Sequence, residues 1–149
     1  MTVQWFVEVG ETAEFTKTVT ETDIAMFCAI SGDFDPIHVD EEYARTTVFG
    51  RRIAHGILSM ALLSTVSAAM SRRAVERGNR GVSVSMGYDT IRFLKPVYLG
   101  DTLTARYTIQ SREQEKSRTR SKVEVVNQRG ELVLAGEHLM KWLPERTAV

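Results

Sequence analysis

The densest group of reactive side chains lies in residues 31–38, which read Ser-Gly-Asp-Phe-Asp-Pro-Ile-His. It places two carboxylates, Asp33 and Asp35, close to one imidazole, His38, on a segment that Pro36 stiffens. An imidazole transfers protons near neutral pH, and a neighbouring carboxylate can orient it or move protons itself. These residue types predict acid/base chemistry, such as the addition of water to a double bond beside a carbonyl.

That reaction also needs a hydrogen-bond donor for the enolate-like oxygen that forms in the transition state. His55-Gly56 precede a long apolar run, so the backbone N–H of Gly56 lies at the predicted start of a helix. The first turn of a helix carries unpaired amides and the positive end of the dipole, and glycine lets a substrate approach the backbone closely. The pattern therefore predicts an acid/base pair on one segment and an oxyanion donor on another.

Each of these residues also has a simpler interpretation. Asp33 and Asp35 could only cap loop amides, which is their commonest use, and His38 could be an ordinary surface histidine. A metal site is a further alternative, because two acids and a histidine can ligate a cation. Only His55 and His138 remain to complete such a site, and there is no H-x-x-x-H pair. We therefore expect no metal ion.

Helix and loop signals in the first half of the chain predict the elements that position this motif. A first helix begins at Thr20 or Thr22 and is stopped by Ser-Gly-Asp. Residues 32–38 are predicted to be a loop, and acidic residues open a short second helix at 40–44. A long helix follows over 55–73. Because its apolar residues cover almost all sides, the rest of the chain must enclose it.

From residue 82 onward, apolar and polar residues alternate with the period of a β-strand. Apolar residues occupy even positions as far as Tyr88 and odd positions at Ile91 and Phe93, which predicts a β-bulge near Gly87. Together with a weaker strand near the N-terminus, the predicted strands cover 14–19, 82–93, 103–109, 123–125 and 132–142. Long consecutive strands joined by short turns are typical of an antiparallel meander.

These elements predict an α+β fold in a single domain that spans residues 1–149. A curved antiparallel β-sheet wrapped around the long central helix would enclose that helix. Such a sheet has two exposed edges, and pairing edge to edge in a homodimer, or in a higher oligomer, would protect them.

The composition indicates a globular protein, with 43% hydrophobic and 26% charged residues. Nineteen Lys and Arg balance 19 Asp and Glu, so the charge does not indicate a nucleic acid or a membrane as partner.

The N-terminus lacks a signal-peptide pattern, and the apolar run 57–70 is too short and too polar to span a bilayer. Cys28 is the lone cysteine and has apolar neighbours. We expect a cytoplasmic protein in which Cys28 is a buried hydrophobe rather than a nucleophile.

The segment SGDFDPIHVD at 31–40 resembles the hydratase signature of MaoC-like dehydratases and (R)-specific enoyl-CoA hydratases. The likeness continues through FGRRIAHG at 49–56 and RFLKPV at 92–97, so it follows most of the chain in order. It implies the hotdog fold, normally dimeric through its sheet. It also implies a CoA or acyl-carrier thioester as substrate, with the acyl chain in a tunnel near the dimer interface and no cofactor.

By motif position, Asp33 and His38 match the catalytic acid/base pair of that family. The backbone N–H of Gly56 matches the donor to the thioester oxygen. Ser64 matches a serine that supports the site in some members, and its alternative is a buried hydroxyl bonded back to its own helix. Asp35 stands where asparagine is commoner. An ionised aspartate only accepts hydrogen bonds, whereas asparagine also donates them.

The sequence therefore predicts a lyase of fatty acid metabolism that reversibly hydrates trans-2-enoyl-CoA to (R)-3-hydroxyacyl-CoA. Arg51 and Arg52 could bind CoA phosphates or belong to a solvated turn. The alternatives are a hotdog acyl-CoA thioesterase and a non-catalytic acyl-thioester-binding protein. The sequence specifies neither the acyl chain, nor the choice between CoA and carrier protein, nor the physiological direction.

Overall fold

A computed structural model of the chain describes residues 4–145. Its strands are β1 (Thr12–Thr18), β2 (Val82–Phe93), β3 (Thr102–Glu113), β4 (Arg118–Val126) and β5 (Leu132–Leu143). The helices lie between β1 and β2 and are α1 (Glu21–Ser31), α2 (Pro36–Val39), α3 (Glu41–Arg45) and α4 (Gly56–Glu76). All strand pairs are antiparallel. The predicted α+β class and the order of the predicted elements are confirmed, whereas α2 was not predicted.

The strands form one sheet in the order β1-β3-β4-β5-β2. The predicted meander is correct for β3, β4 and β5, which pair in sequence. It is wrong for β2, which pairs with β5 and not with β3. The positions of β5 and β4 in the sheet therefore lie between β2 and β3, although β3 follows β2 in the sequence. The alternation of apolar residues specifies which face of a strand is buried, but it carries no information about the neighbouring strand.

The buried face of the sheet is the one that the alternation predicts. Leu103, Ala105, Tyr107 and Ile109 of β3 are all buried. Helix α4 packs against this side of the sheet through the buried residues Leu63, Val66, Met70 and Ala74. Burial of these side chains stabilises the fold because each removes apolar surface from water.

Helix α4 is not enclosed on all sides by its own chain, which corrects the sequence prediction. Ile57 is 53% exposed, and Ala61 is also exposed. Apolar residues on all sides of a helix show that its surface must be buried, but they do not show that a single chain buries all of it. Within residues 4–145, no helix is both long enough and apolar enough to cross a membrane.

Strand β2 has the predicted irregularity between Ser85 and Gly87, and a second one between Asp89 and Arg92 that was not predicted. The first irregularity changes the face on which later side chains lie. Ser85 and Tyr88 both contact His138, so Tyr88 lies on the face opposite to Val84. The prediction that the side chains of Tyr88 and Val84 lie on the same face of β2 is therefore wrong, because the irregularity comes before Tyr88.

His138 of β5 is fully buried between polar partners. Its Nε2 lies 2.8 Å from Ser85 Oγ, and its Nδ1 lies 2.9 Å from the Tyr107 hydroxyl. Burial lowers the pKa of His138 to about 4, because the charged imidazolium loses its hydration in the core. The unfolded chain therefore binds more protons than the folded chain between about pH 6.5 and pH 4.

We expect the free energy of unfolding to fall as the pH decreases through this window. His138 should account for about 2 kcal/mol of the fall between about pH 7 and pH 5. Urea unfolding at both pH values, on the wild type and on His138→Leu, measures that share. The variant lacks the titrating group, so its stability should depend less on pH by about that amount. An identical pH dependence in the two proteins would contradict this explanation.

Candidate active site

The segment that carries Asp33 begins where α1 ends. Gly32 adopts a left-handed backbone conformation, with φ of 78°, which terminates the helix and which glycine adopts without steric cost. The hydroxyl of Ser31 donates to the carbonyl of Phe27 at 2.7 Å and accepts from the backbone N–H of Asp33 at 3.1 Å. These bonds fix the direction in which the chain leaves the helix.

The next turn is held by the two carboxylates. Asp33 Oδ1 accepts the backbone N–H of Asp35 at 3.1 Å, and Asp35 Oδ1 accepts the backbone N–H of Ile37 at 3.0 Å. Asp35 thereby caps α2, whose first residue is Pro36. The predicted loop over 32–38 is wrong in its last three positions, because proline at the first position of a helix favours a helical turn.

Asp35 therefore has a structural task that needs only an acceptor. An aspartate meets that need as well as an asparagine, since both residues are strong N-caps. Its replacement of the commoner asparagine leaves this turn intact. Asp33, in contrast, uses one carboxylate oxygen in the turn and remains 49% exposed at its side chain.

His38 is oriented by the segment that precedes α4. Its Nδ1 lies 2.8 Å from the backbone carbonyl of Ile53, while the N–H of Ile53 donates to the carbonyl of Ile37 at 3.3 Å. A carbonyl oxygen can only accept, so Nδ1 carries the proton and Nε2 has the free lone pair. His38 is thus held in the tautomer that can accept a proton at Nε2.

The structure adds a third member, His55, which is only 2% exposed. Its ring stacks on the ring of His38, with centroids 3.8 Å apart. Its Nε2 lies 3.1 Å from the backbone carbonyl of Asp33 and 3.9 Å from the carboxylate. The sequence marked His55 as the residue before Gly56 and as one of two further histidines that a metal site could use. Its position between the two motif segments depends on the fold, so spacing could not reveal it.

One donor atom from each of Asp33, His38 and His55 lies within 4.8 Å of the others. Two histidines bind one cation when their lone pairs converge about 2 Å from each nitrogen. The two rings are stacked instead, with an angle of 29° between their planes. Their in-plane lone pairs therefore run side by side and do not converge at that distance. The arrangement fits proton transfer better than metal ligation.

Gly56 is the first residue of α4, and its N-cap, His55, forms no side-chain capping bond. The unpaired amides of this first turn can donate hydrogen bonds to an anionic oxygen. A Cβ at Gly56 would lie 3.0 Å from the ring of Phe93, so glycine makes room for that ring. Gly56 and Phe93 line an apolar groove of about 350 Å³, together with Phe49, Ile53, Ala54, Ser59, Leu94, Lys95, Pro96, Val97 and Val133.

The remaining predicted residues have different positions. Ser64 lies on the exposed side of α4, and among the described residues no contact joins its hydroxyl to Asp33 or His38. Ser64 is therefore not the buried hydroxyl that its alternative interpretation required. Cys28 is 1% exposed, as predicted, with Sγ 3.9 Å from Nε2 of His55.

The two arginines have different partners. Arg52 donates to both carboxylate oxygens of Glu21 at 2.7 and 2.9 Å, and to Glu41 at 3.4 Å. Arg51 is exposed, with its guanidinium 4.2 Å above the ring of Tyr98. Tyr98 pairs with Ile53, which lines the groove, so Arg51 lies near the groove's rim. Arg51 is thus the better candidate for binding an anion.

Comparison with known proteins gives consistent matches. A family model described as the MaoC like domain matches residues 6–131. An (R)-specific enoyl-CoA hydratase from Rhodospirillum rubrum is 40% identical over 110 residues, which cover 74% of this chain and 71% of that protein. An (R)-specific enoyl-CoA hydratase from Aeromonas caviae is 32% identical over 135 residues, which cover 91% of this chain and 95% of that protein.

Among solved structures, an (R)-hydratase from Pseudomonas aeruginosa in its unliganded form superposes with a TM-score of 0.75 and 38% sequence identity. The match covers 94% of this chain and 84% of the other. This agreement confirms the predicted hotdog arrangement of an antiparallel sheet and a long helix.

Proposed function

Because this chain belongs to the MaoC-like domain family and is a hydratase/dehydratase, we propose that it reversibly hydrates trans-2-enoyl thioesters to (R)-3-hydroxyacyl thioesters. One observation carries the proposal. The carboxylate of Asp33 and the ring of His38 lie together. The ring of His38 is hydrogen-bonded to Ile53, and a short segment joins Ile53 to the amide of Gly56. The residue that anchors His38 and the residue that offers the oxyanion donor thus lie on the same short segment.

In the proposed reaction, a water molecule lies between the Asp33 carboxylate and Nε2 of His38. The water oxygen bonds to the β-carbon of the enoyl group while the pair takes one proton from the water. The electron pair of the double bond moves towards the thioester oxygen, which accepts a hydrogen bond from the Gly56 N–H. The enolate then collapses as the pair returns one proton to the α-carbon, and the enzyme is unchanged. The steps require neither a metal ion nor a redox cofactor.

The proposed substrate is the CoA thioester, and the apolar groove beside Gly56 offers a surface for its uncharged parts. CoA phosphates need cationic partners, and guanidinium groups suit phosphate geometry. The charge of Arg52 is already matched by Glu21 and Glu41, so we assign Arg51 to the phosphates.

We expect Arg51→Ala to raise the KM for crotonyl-CoA up to about fivefold with little change in kcat, as for the loss of an exposed ion pair. The crotonyl thioester of N-acetylcysteamine lacks phosphates and serves as the control. Its KM should be the same for wild type and variant in steady-state assays. An equal rise in KM for both substrates would show that Arg51 acts on the fold of the site and not on the phosphates.

We also propose that two copies of the chain associate. Strand β2 is an edge of the sheet and exposes Val82, Val84 and Met86, while Ile57 of α4 is also uncovered. A free edge with apolar residues favours pairing with a second copy. Light scattering is expected to give the mass of two chains or a multiple of it, and the mass of one chain would contradict the proposal.

The reaction type is tested by incubating the protein with crotonyl-CoA and following both the conjugated enoyl absorbance and free thiol. A hydratase removes the absorbance without releasing thiol. Thiol release would identify a thioesterase instead. Saturable binding that leaves both the double bond and the thioester intact would identify a non-catalytic binding protein. The same assay with trans-2-octenoyl-CoA tests for a preference for a longer acyl chain.

A further inference from the structure

We propose that His55 is a positioning residue that holds both members of the acid/base pair, His38 through its ring and Asp33 through its backbone. The inference rests on the proposed function, because it assigns His55 a task in proton transfer between Asp33, His38 and substrate. No motif position predicted this role.

The first contact is with Asp33. Nε2 of His55 lies 3.1 Å from the Asp33 carbonyl, which can only accept, so Nε2 carries a proton and donates it. The same nitrogen lies 3.9 Å from the Asp33 carboxylate. Asp33 follows the left-handed Gly32 and is itself exposed, so its position depends on such bonds. His55 therefore ties the Asp33 backbone to the start of α4.

The second contact is with His38. The two imidazole rings are stacked, with centroids 3.8 Å apart and planes 29° apart. The bond from His38 Nδ1 to Ile53 limits rotation of the ring within its plane, and the stack limits tilt out of that plane. Phe27 and Cys28 contact His55 as well, so the stacked ring is itself held in place. Together these contacts fix the direction of the His38 lone pair at Nε2.

The charge of His55 suits this task. Burial lowers the pKa of His55, and this effect outweighs the hydrogen bond to the Asp33 carbonyl, which raises the pKa. Nδ1 of His55 is buried and has no partner among residues 4–145, so a proton there would be an unsatisfied charged donor. Both observations favour the neutral form of the His55 ring. A neutral ring stacked on an imidazolium attracts it, whereas a second imidazolium would repel it.

Two substitutions separate the contacts. His55→Phe retains a ring that can stack on His38 but loses the donor to Asp33. His55→Asn retains a side-chain donor but loses the stack. We expect each variant to lower kcat for crotonyl-CoA about 10- to 100-fold, the scale of misplaced catalytic groups, with KM changed less than about twofold. Because proton transfer becomes slower, the solvent deuterium isotope effect on kcat should rise in both variants.

His138→Asn is the matched control, since His138 is the other buried histidine of the described chain and contacts Ser85 and Tyr107 instead of the acid/base pair. It should lower the melting temperature and leave the isotope effect unchanged. Near-wild-type kcat in either His55 variant would overturn the proposal. A kcat that falls only in proportion to the folded fraction, with an isotope effect equal to that of the wild type, would also overturn the proposal. A wild type that hydrates no enoyl-CoA would overturn the proposed function as well.

Discussion

Replacement of Asp33 by asparagine is expected to lower kcat for enoyl-CoA hydration about 100- to 10,000-fold, the contribution of a general acid or base. The amide oxygen of asparagine can still accept the N–H of Asp35, as Oδ1 of Asp33 does at 3.1 Å. The turn should therefore persist, and only the charge and the ability to exchange a proton are lost. Steady-state assays with crotonyl-CoA measure the effect, and circular dichroism checks the fold.

Asp40→Asn provides a matched control for this substitution. Asp40 caps α3 by accepting the N–H of Tyr43 at 3.0 Å, and asparagine caps helices about as well. The same change of charge at a neighbouring cap should leave kcat within about twofold of wild type. If Asp33→Asn retained wild-type turnover, Asp33 would be a capping residue only, which is the simpler interpretation of its sequence context.

Replacement of His38 by asparagine is expected to cause a loss of similar size. The asparagine amide nitrogen is bonded to Cγ, as Nδ1 of His38 is, so it can donate to the carbonyl of Ile53, but the amide cannot accept a proton near neutral pH. A folded variant with a wild-type rate would remove His38 from the mechanism.

Much of the fold follows from local patterns in the sequence. The alternation at Leu103, Ala105, Tyr107 and Ile109 predicts both a strand and its buried face, because side chains of a strand alternate between faces. The phase change near Gly87 predicts the bulge. The position of β2 beside β5 could not be predicted in this way, since strand order depends on which surfaces pack after the chain has collapsed.

The site shows the same division. Spacing and residue chemistry predict Asp33 and His38, because both lie on one short segment with its own turn signals. His55 lies 17 positions from His38 in the sequence, and only the fold brings their rings together. Ser64 is exposed on α4 in the single chain, and its supporting role, which rests on motif position, stays a prediction. Long-range contacts and exposure are properties of packing and not of spacing.

In the proposed function, the protein adds water to the double bond of an enoyl thioester and leaves the thioester intact. The most direct test is incubation of the wild type with crotonyl-CoA in deuterium oxide, followed by mass spectrometry and chiral analysis of the product. We expect (R)-3-hydroxybutyryl-CoA with deuterium at the α-carbon and no free CoA. Crotonate with free CoA, or unchanged crotonyl-CoA and trans-2-octenoyl-CoA after prolonged incubation, would contradict it.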